Sequence, residues 1–222
     1  MDAPSRDRLQ LQRWVDRWRA ALAASQAHGQ RDDTAWGRVE IGPSSAPEDL
    51  AEVEGASGLA MPTQLGRLFL FARSVDAAWH FADDVEPPDP FGEIFAGERS
   101  WSLDRVVTNI VDYRSWVDAV FPDRDDPYDA VWHGKYPWLG VPNGDFVAID
   151  REDRVVHLSH DDGEGHGYVL GRDVFDFLDT WTRLGCPGPE DWQWLPFVGD
   201  SGEGLDPDAQ SGLAWRAWLG IP

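Results

Sequence analysis

The run from Tyr136 to Gly185 constrains the fold most. In Phe146-Val-Ala-Ile149, Phe146 and Ala148 take one face of a strand and Val147 and Ile149 the other. In Val155-Val-His-Leu-Ser159, Val155, His157 and Ser159 face opposite to Val156 and Leu158. The link Asp150-Arg-Glu-Asp153 is short and polar, as a hairpin loop should be. Tyr168-Val-Leu170 is a third apolar run. Asp173 then caps a helix whose apolar positions are Val174, Phe177, Leu178 and Trp181. A small antiparallel sheet with a helix packed behind it follows from this pattern.

The rest of the chain reads as helices around that sheet. Leu11, Trp14, Val15, Trp18 and Leu22 mark one face of an N-terminal helix after a frayed start at 1–8, and Ser25 to Asp33 read as a polar link. Trp36 to Ile41 fits a short edge strand. Ser45, Pro47 and Glu48 have the spacing of a capped helix start, ended by Gly58. Pro62-Thr63 opens another helix, with Leu65, Leu68, Phe69 and Ala72 inward. Trp79-His-Phe81 is a strand candidate, followed by an acidic, proline-rich loop. From Ser102 a long helix carries Leu103, Val106, Val107, Ile110, Tyr113, Val117 and Val120, and Pro122 stops it. Asp123 to Asp129 form a second acidic loop. The tail holds Trp192, Trp194, Phe197, Trp215 and Trp218, too apolar for disorder, and is expected to wrap back with a final helix near 208–219.

At 222 residues this is one domain or one domain with extensions, long enough to bury a sizeable core. The organisation expected is a helix and linker over 1–40, a core over 41–185, and a Trp/Gly/Pro-rich extension over 186–222. The 13 Trp exceed what such a core requires, which predicts some at half-exposed or interface positions.

Charge narrows the partners. The chain carries 19 Lys plus Arg against 40 Asp plus Glu, a net charge of −21. Phosphate backbones would be repelled, which argues against direct nucleic-acid binding. Such a charge serves solubility, or attracts a basic partner quickly. Cys186 is the only cysteine, so a disulfide scaffold is excluded. The N-terminus lacks an apolar signal core and no run approaches transmembrane length, so the cytoplasm is the expected location, with no membrane partner.

Motifs for chemistry are sparse. His157, His160, Asp161 and Asp162, with His166 nearby, contain metal-binding residue types, but their spacing matches no ligand signature and Gly163-Glu-Gly165 reads as a turn. Cys186 lies in a Gly-Cys-Pro-Gly-Pro turn with nothing local to activate it. Ser159 next to His160 is not a triad. No nucleophile elbow, phosphate loop or dinucleotide fingerprint occurs. The carboxylate pairs 32–33, 83–84, 125–126 and 161–162 suit solvated loops. Neither catalytic residues, cofactor nor metal is expected.

The order of these signals resembles the SUKH superfamily. Ser45-Ala-Pro-Glu-Asp-Leu-Ala-Glu-Val-Glu followed by Gly58-Leu-Ala-Met-Pro-Thr-Gln-Leu-Gly-Arg-Leu-Phe-Leu is similar to its first two core helices. Pro137-Trp-Leu-Gly-Val-Pro, Asn143-Gly-Asp145, the strand at 155–159, His160-Asp161 and Phe175-Asp-Phe-Leu resemble its second half. The likeness covers about two-thirds of the chain, Ile41 to Leu184. The chain departs from it at Ala72-Arg-Ser-Val-Asp, where the family usually has a glycine. The resemblance implies an α+β fold, mostly antiparallel sheet flanked by helices. It also implies a non-catalytic binding role: an immunity protein that neutralises a bacterial toxin, with a cell-wall or signalling scaffold as the alternative.

Charge adds that a toxin partner would be basic, as nuclease domains often are. The expected contact face comprises Asp83, Asp84, Glu86, Trp132, His133, Asp161, Asp162 and Glu164. A reading of a different class is a metal-dependent hydrolase using His157, His160 and Asp161.

Overall fold

The computed structural model describes residues 3–28, 36–161, 163–199 and 203–222. The fold is α+β, with two antiparallel sheets rather than one. The first, in the order β1-β2-β3, joins Trp36–Ile41, Ser74–His80 and Ala96–Ser102. The second, β4-β5-β6-β7, joins Tyr136–Gly140, Phe146–Ile149, Val155–Leu158 and Val169–Gly171. The helices are α1 (Ala3–His28), α2 (Pro47–Ser57), α3 (Thr63–Phe71), α4 (Leu103–Ala119), α5 (Pro127–Trp132), α6 (Val174–Arg183), α7 (Asp191–Trp194) and α8 (Gln210–Leu219).

The second sheet forms as its alternation predicts. Phe146 pairs with Leu158 and Ile149 with Val155. Val147, Ile149 and Val155 enter the main core, with Phe177, Leu178 and Trp181 of α6. Phe146, Ala148, Val156 and Leu158 enter a second core with Tyr113 of α4 and Trp132 of α5. Each face of the sheet is therefore covered. Asp173 caps α6, its carboxylate accepting from the Phe175 and Asp176 amides at 2.8 Å.

The first sheet corrects the sequence reading. β2 begins at Ser74, earlier than Trp79, and pairs along its length with β3, a strand that Ala-Gly-Glu-Arg-Ser-Trp-Ser does not announce. α1 starts at Ala3 instead of fraying to residue 8, and Asp7 takes the Arg67 guanidinium at 2.6 and 2.9 Å. It continues to His28, with Ser25 buried inside it; Gly29 to Asp33 lie outside the described residues. α2 is capped one residue later than its Ser/Glu spacing suggests, the Ala46 amide donating to Asp49 at 2.7 Å.

Among the described tryptophan side chains nine are buried, while Trp116 and Trp218 are half-buried and Trp192 is exposed, so some do take the half-exposed positions the sequence predicts. A buried indole N–H is stabilised by a carbonyl acceptor, and three of them find one around a single turn. Those of Trp79, Trp181 and Trp215 donate to the carbonyls of Gly185, Pro187 and Leu184, at 2.6, 2.9 and 2.7 Å. The turn after α6 is thus clamped by three indoles from three elements. The tail wraps back through Trp194, Phe197 and Trp215, while Trp192 stays exposed.

Candidate functional site

Most of the polar residues singled out in the sequence gather where β5 begins and β6 ends. The turn at 141–145 is closed by Val141 N–H to Asp145 O at 2.8 Å and Gly144 N–H to Val141 O at 3.0 Å. Gly144 has φ 108, which glycine alone adopts readily. The turn delivers Asp145 into the interior, 2% exposed. Its Oδ1 accepts from His160 twice, from the backbone amide at 2.9 Å and from Nδ1 at 2.7 Å. Its Oδ2 accepts from Asn143 Nδ2 at 2.8 Å and lies 3.6 Å from His157 Nε2.

The following loop is held as firmly. The Ser159 amide donates to His166 Nδ1 at 3.0 Å, so Nε2 carries the ring proton and donates to Tyr128 O at 3.0 Å. The Tyr128 ring stacks on His166 at 3.8 Å, and its hydroxyl donates to Ser159 O at 2.7 Å. Ser159 Oγ donates to Asp161 at 2.9 Å and accepts from the Gly163 amide at 3.1 Å. A side chain at Gly163 would meet Ser159 Oγ at 2.6 Å and Asp191 at 2.8 Å, so the loop packs on its own glycine.

This arrangement decides what the cluster can do. Ligand atoms of Asp145, His160 and Asp161 lie within 4.8 Å of one another. A cation needs their lone pairs turned towards a shared point. Here Asp145 Oδ1 already accepts two N–H groups, His160 Nδ1 donates, and Asp161 accepts the Ser159 hydroxyl. The donor set suits a hydrogen-bonded latch more than a metal site. A buried carboxylate orienting an imidazole also resembles a general-base pair. Yet the nearby Ser159 hydroxyl is turned to Asp161, and His157 is buried on the core side of β6, its ring edge-on to Trp194 at 5.0 Å.

The residues expected on a contact face divide into two groups. Asp83, Asp84 and Glu86 are exposed on the loop between β2 and β3. That loop is pinned by buried Phe81, Pro87, Phe91 and Ile94, with Phe91 stacked on Phe197 at 5.8 Å. It also presents Asp89, Glu93 and the half-exposed Phe95, which the sequence reading missed. The spacing of Phe91 and Ile94 was the available sign that the segment is anchored. Asp84, Glu86, Asp89 and Glu93 form no ion pair among the described residues.

The other group belongs to the second sheet. Asp161 and Glu164 are exposed on the β6–β7 loop, and Asp162 lies outside the described residues. Trp132 is no surface anchor: it is fully buried, stacked on Phe121 at 4.6 Å, because α5 turns that face onto the second core. His133 is half-buried at the opposite end of the sheet.

No protein-family model matches this chain, and no curated protein or solved structure matches it either. Among the described residues, no helix is long and apolar enough to cross a membrane.

Proposed function

We propose that the chain is a non-catalytic protein-binding module acting in the cytoplasm as an immunity protein of the SUKH type, against a basic toxin domain. One observation carries this reading. The 81–95 loop holds a row of exposed carboxylates on a frame anchored by Phe91 and Ile94. A steering surface needs uncompensated charge, and an interface gains affinity when that charge is held in place before contact. Asp84, Glu86, Asp89 and Glu93 meet both conditions, and Phe95 offers an apolar ring beside them.

Two further observations support it. The histidine and carboxylate side chains around Asp145 spend their hydrogen bonds on holding loops. The net charge of −21 disfavours nucleic acid and favours a cationic protein surface.

The test is affinity capture from the native organism at low salt, with the bound protein identified by mass spectrometry. The expected result is one stoichiometric basic protein that is released as salt rises and whose toxicity the chain suppresses. Capture of several cell-envelope or signalling proteins, with no suppressed toxin among them, would replace this reading with a scaffold.

A further inference from the structure

The strongest unassigned feature is a cationic recess on a strongly acidic protein. It opens where β4 begins and the β5–β6 hairpin turns, with a volume of about 270 Å³. Its wall includes Arg124, His133, Lys135, Arg151 and Arg154. Four of the chain's 19 Lys and Arg, including its only Lys, thus line one cavity.

The charges there are not balanced. The wall's two carboxylates, Asp150 and Glu152, both engage Arg154, at 2.8 and 3.5 Å. Asp150 is further tied down by the Glu152 and Arg154 amides, each at 2.9 Å. Arg124, Lys135 and Arg151 form no ion pair with a described carboxylate. Lys135 is half-buried, and among the described residues its ammonium finds the His133 carbonyl alone, at 3.4 Å. Burial pulls this ammonium below its ordinary range; Asp150 and Glu152 oppose the shift, and Arg154 and Arg151 add to it. His133 keeps both ring nitrogens buried with no hydrogen-bond partner among the described residues. Crowded cations are costly unless an anion offsets them.

The backbone makes room for this crowding. Gly134 has φ 70, and a side chain there would lie 3.1 Å from the Arg151 guanidinium. A glycine there leaves the guanidinium room to rest against the chain. Two guanidinium forks and an ammonium around one opening suit the several oxygens of a tetrahedral anion. The volume sits near the lower limit of ligand cavities, roughly 300 Å³, enough for a phosphate group with a modest substituent.

We propose that this recess is an anion site that takes a phosphate group, free or carried as a monoester on a small molecule. It is separate from the acidic loop and does not depend on the partner reading.

Calorimetric titration with inorganic phosphate, and separately with a nucleoside monophosphate, tests it. One saturable site is expected, with phosphorus NMR showing the same saturation. Arg124→Gln and Arg151→Gln, both at exposed positions, should each weaken binding about tenfold, and the double variant should abolish it. Arg19→Gln, on the exposed face of α1, should leave it unchanged. Tighter binding of the ester would identify the monoester as the ligand form, and equal binding would identify free phosphate. Absence of saturable binding by both probes, or binding that survives the folded double variant, would overturn the proposal.

Discussion

Every residue of β5 and β6 is buried, whereas β1, β2 and β3 keep a polar face on which Arg38, Asp76 and Ser100 meet. The second sheet is covered by α6 on one side and by α4 and α5 on the other. The first packs against α1 and leaves its opposite side to cross-strand hydrogen bonds, with Ser100 Oγ donating to Asp76 at 2.6 Å. A sheet buried on both faces offers a partner only its ends. At one end of the second sheet, Asp145 and His160 lock two loops together; at the other, Lys135 and Arg151 flank the cationic recess. The first sheet reaches water through a face and through the acidic 81–95 loop. Rigidity and access are thus divided between the two sheets.

The largest effect should come from the doubly covered sheet. Phe146→Ala removes a ring packed among Tyr113 and Trp132 and should cost about 3–5 kcal/mol in urea unfolding. A loss under about 1 kcal/mol would show the second core to be loosely packed. Gly171→Ala comes next. Its methyl would meet backbone atoms of Phe177 at 2.7 Å, which cannot move without shifting α6, so about 1–3 kcal/mol should be lost. Asp173→Ala removes the α6 cap and should cost about 1 kcal/mol. Arg38→Ala, on the polar face of the first sheet, should cost less than about 1 kcal/mol, since its ion pair with Asp76 is partly solvated. If Arg38→Ala matched Phe146→Ala, the contrast between the sheets would fail.

Acid should probe the same contrast more gently. The Arg73 hydrogen bond holds Asp104 below the ordinary carboxylate range, and the Arg172 hydrogen bond does the same for Asp176. At Asp76, burial works to raise the value, but hydrogen bonds from Arg38 and Ser100 prevail and lower it. Each folded-state value lies below its unfolded counterpart. Their stabilisation is therefore full above the ordinary value of 3.8 and fades as pH falls below it. Thermal melts should show these pairs contributing nothing to pH dependence between about 7 and 5, with a decline beginning near 4.

What the sequence made legible follows the strength of each local signal. β5, β6 and α6 could be read because burial on two faces demands apolar runs, and Asp173 marks the helix start. β3 could not, because Gly97, Glu98, Arg99 and Ser100 have weak strand preference, and the strand exists through its pairing with β2. Trp132 shows a second limit: an aromatic at a helix end carries no mark of whether it faces water or a core. The exposure of Asp83, Asp84 and Glu86 could be read from loop composition. The cationic recess could not, since Arg124, Lys135 and the hairpin pair Arg151 and Arg154 come from three separate segments that meet only in the fold.

The central claim is that the anchored acidic loop steers a basic protein into place. The most direct test measures association and dissociation rates of the captured partner with the parent chain and with an Asp84→Lys, Glu86→Lys, Asp89→Lys variant, across a range of salt. The account predicts an association rate at least about tenfold slower for the variant at low salt, a difference that shrinks as salt rises, and a dissociation rate changed much less. An association rate indifferent to both the substitutions and the salt would contradict it.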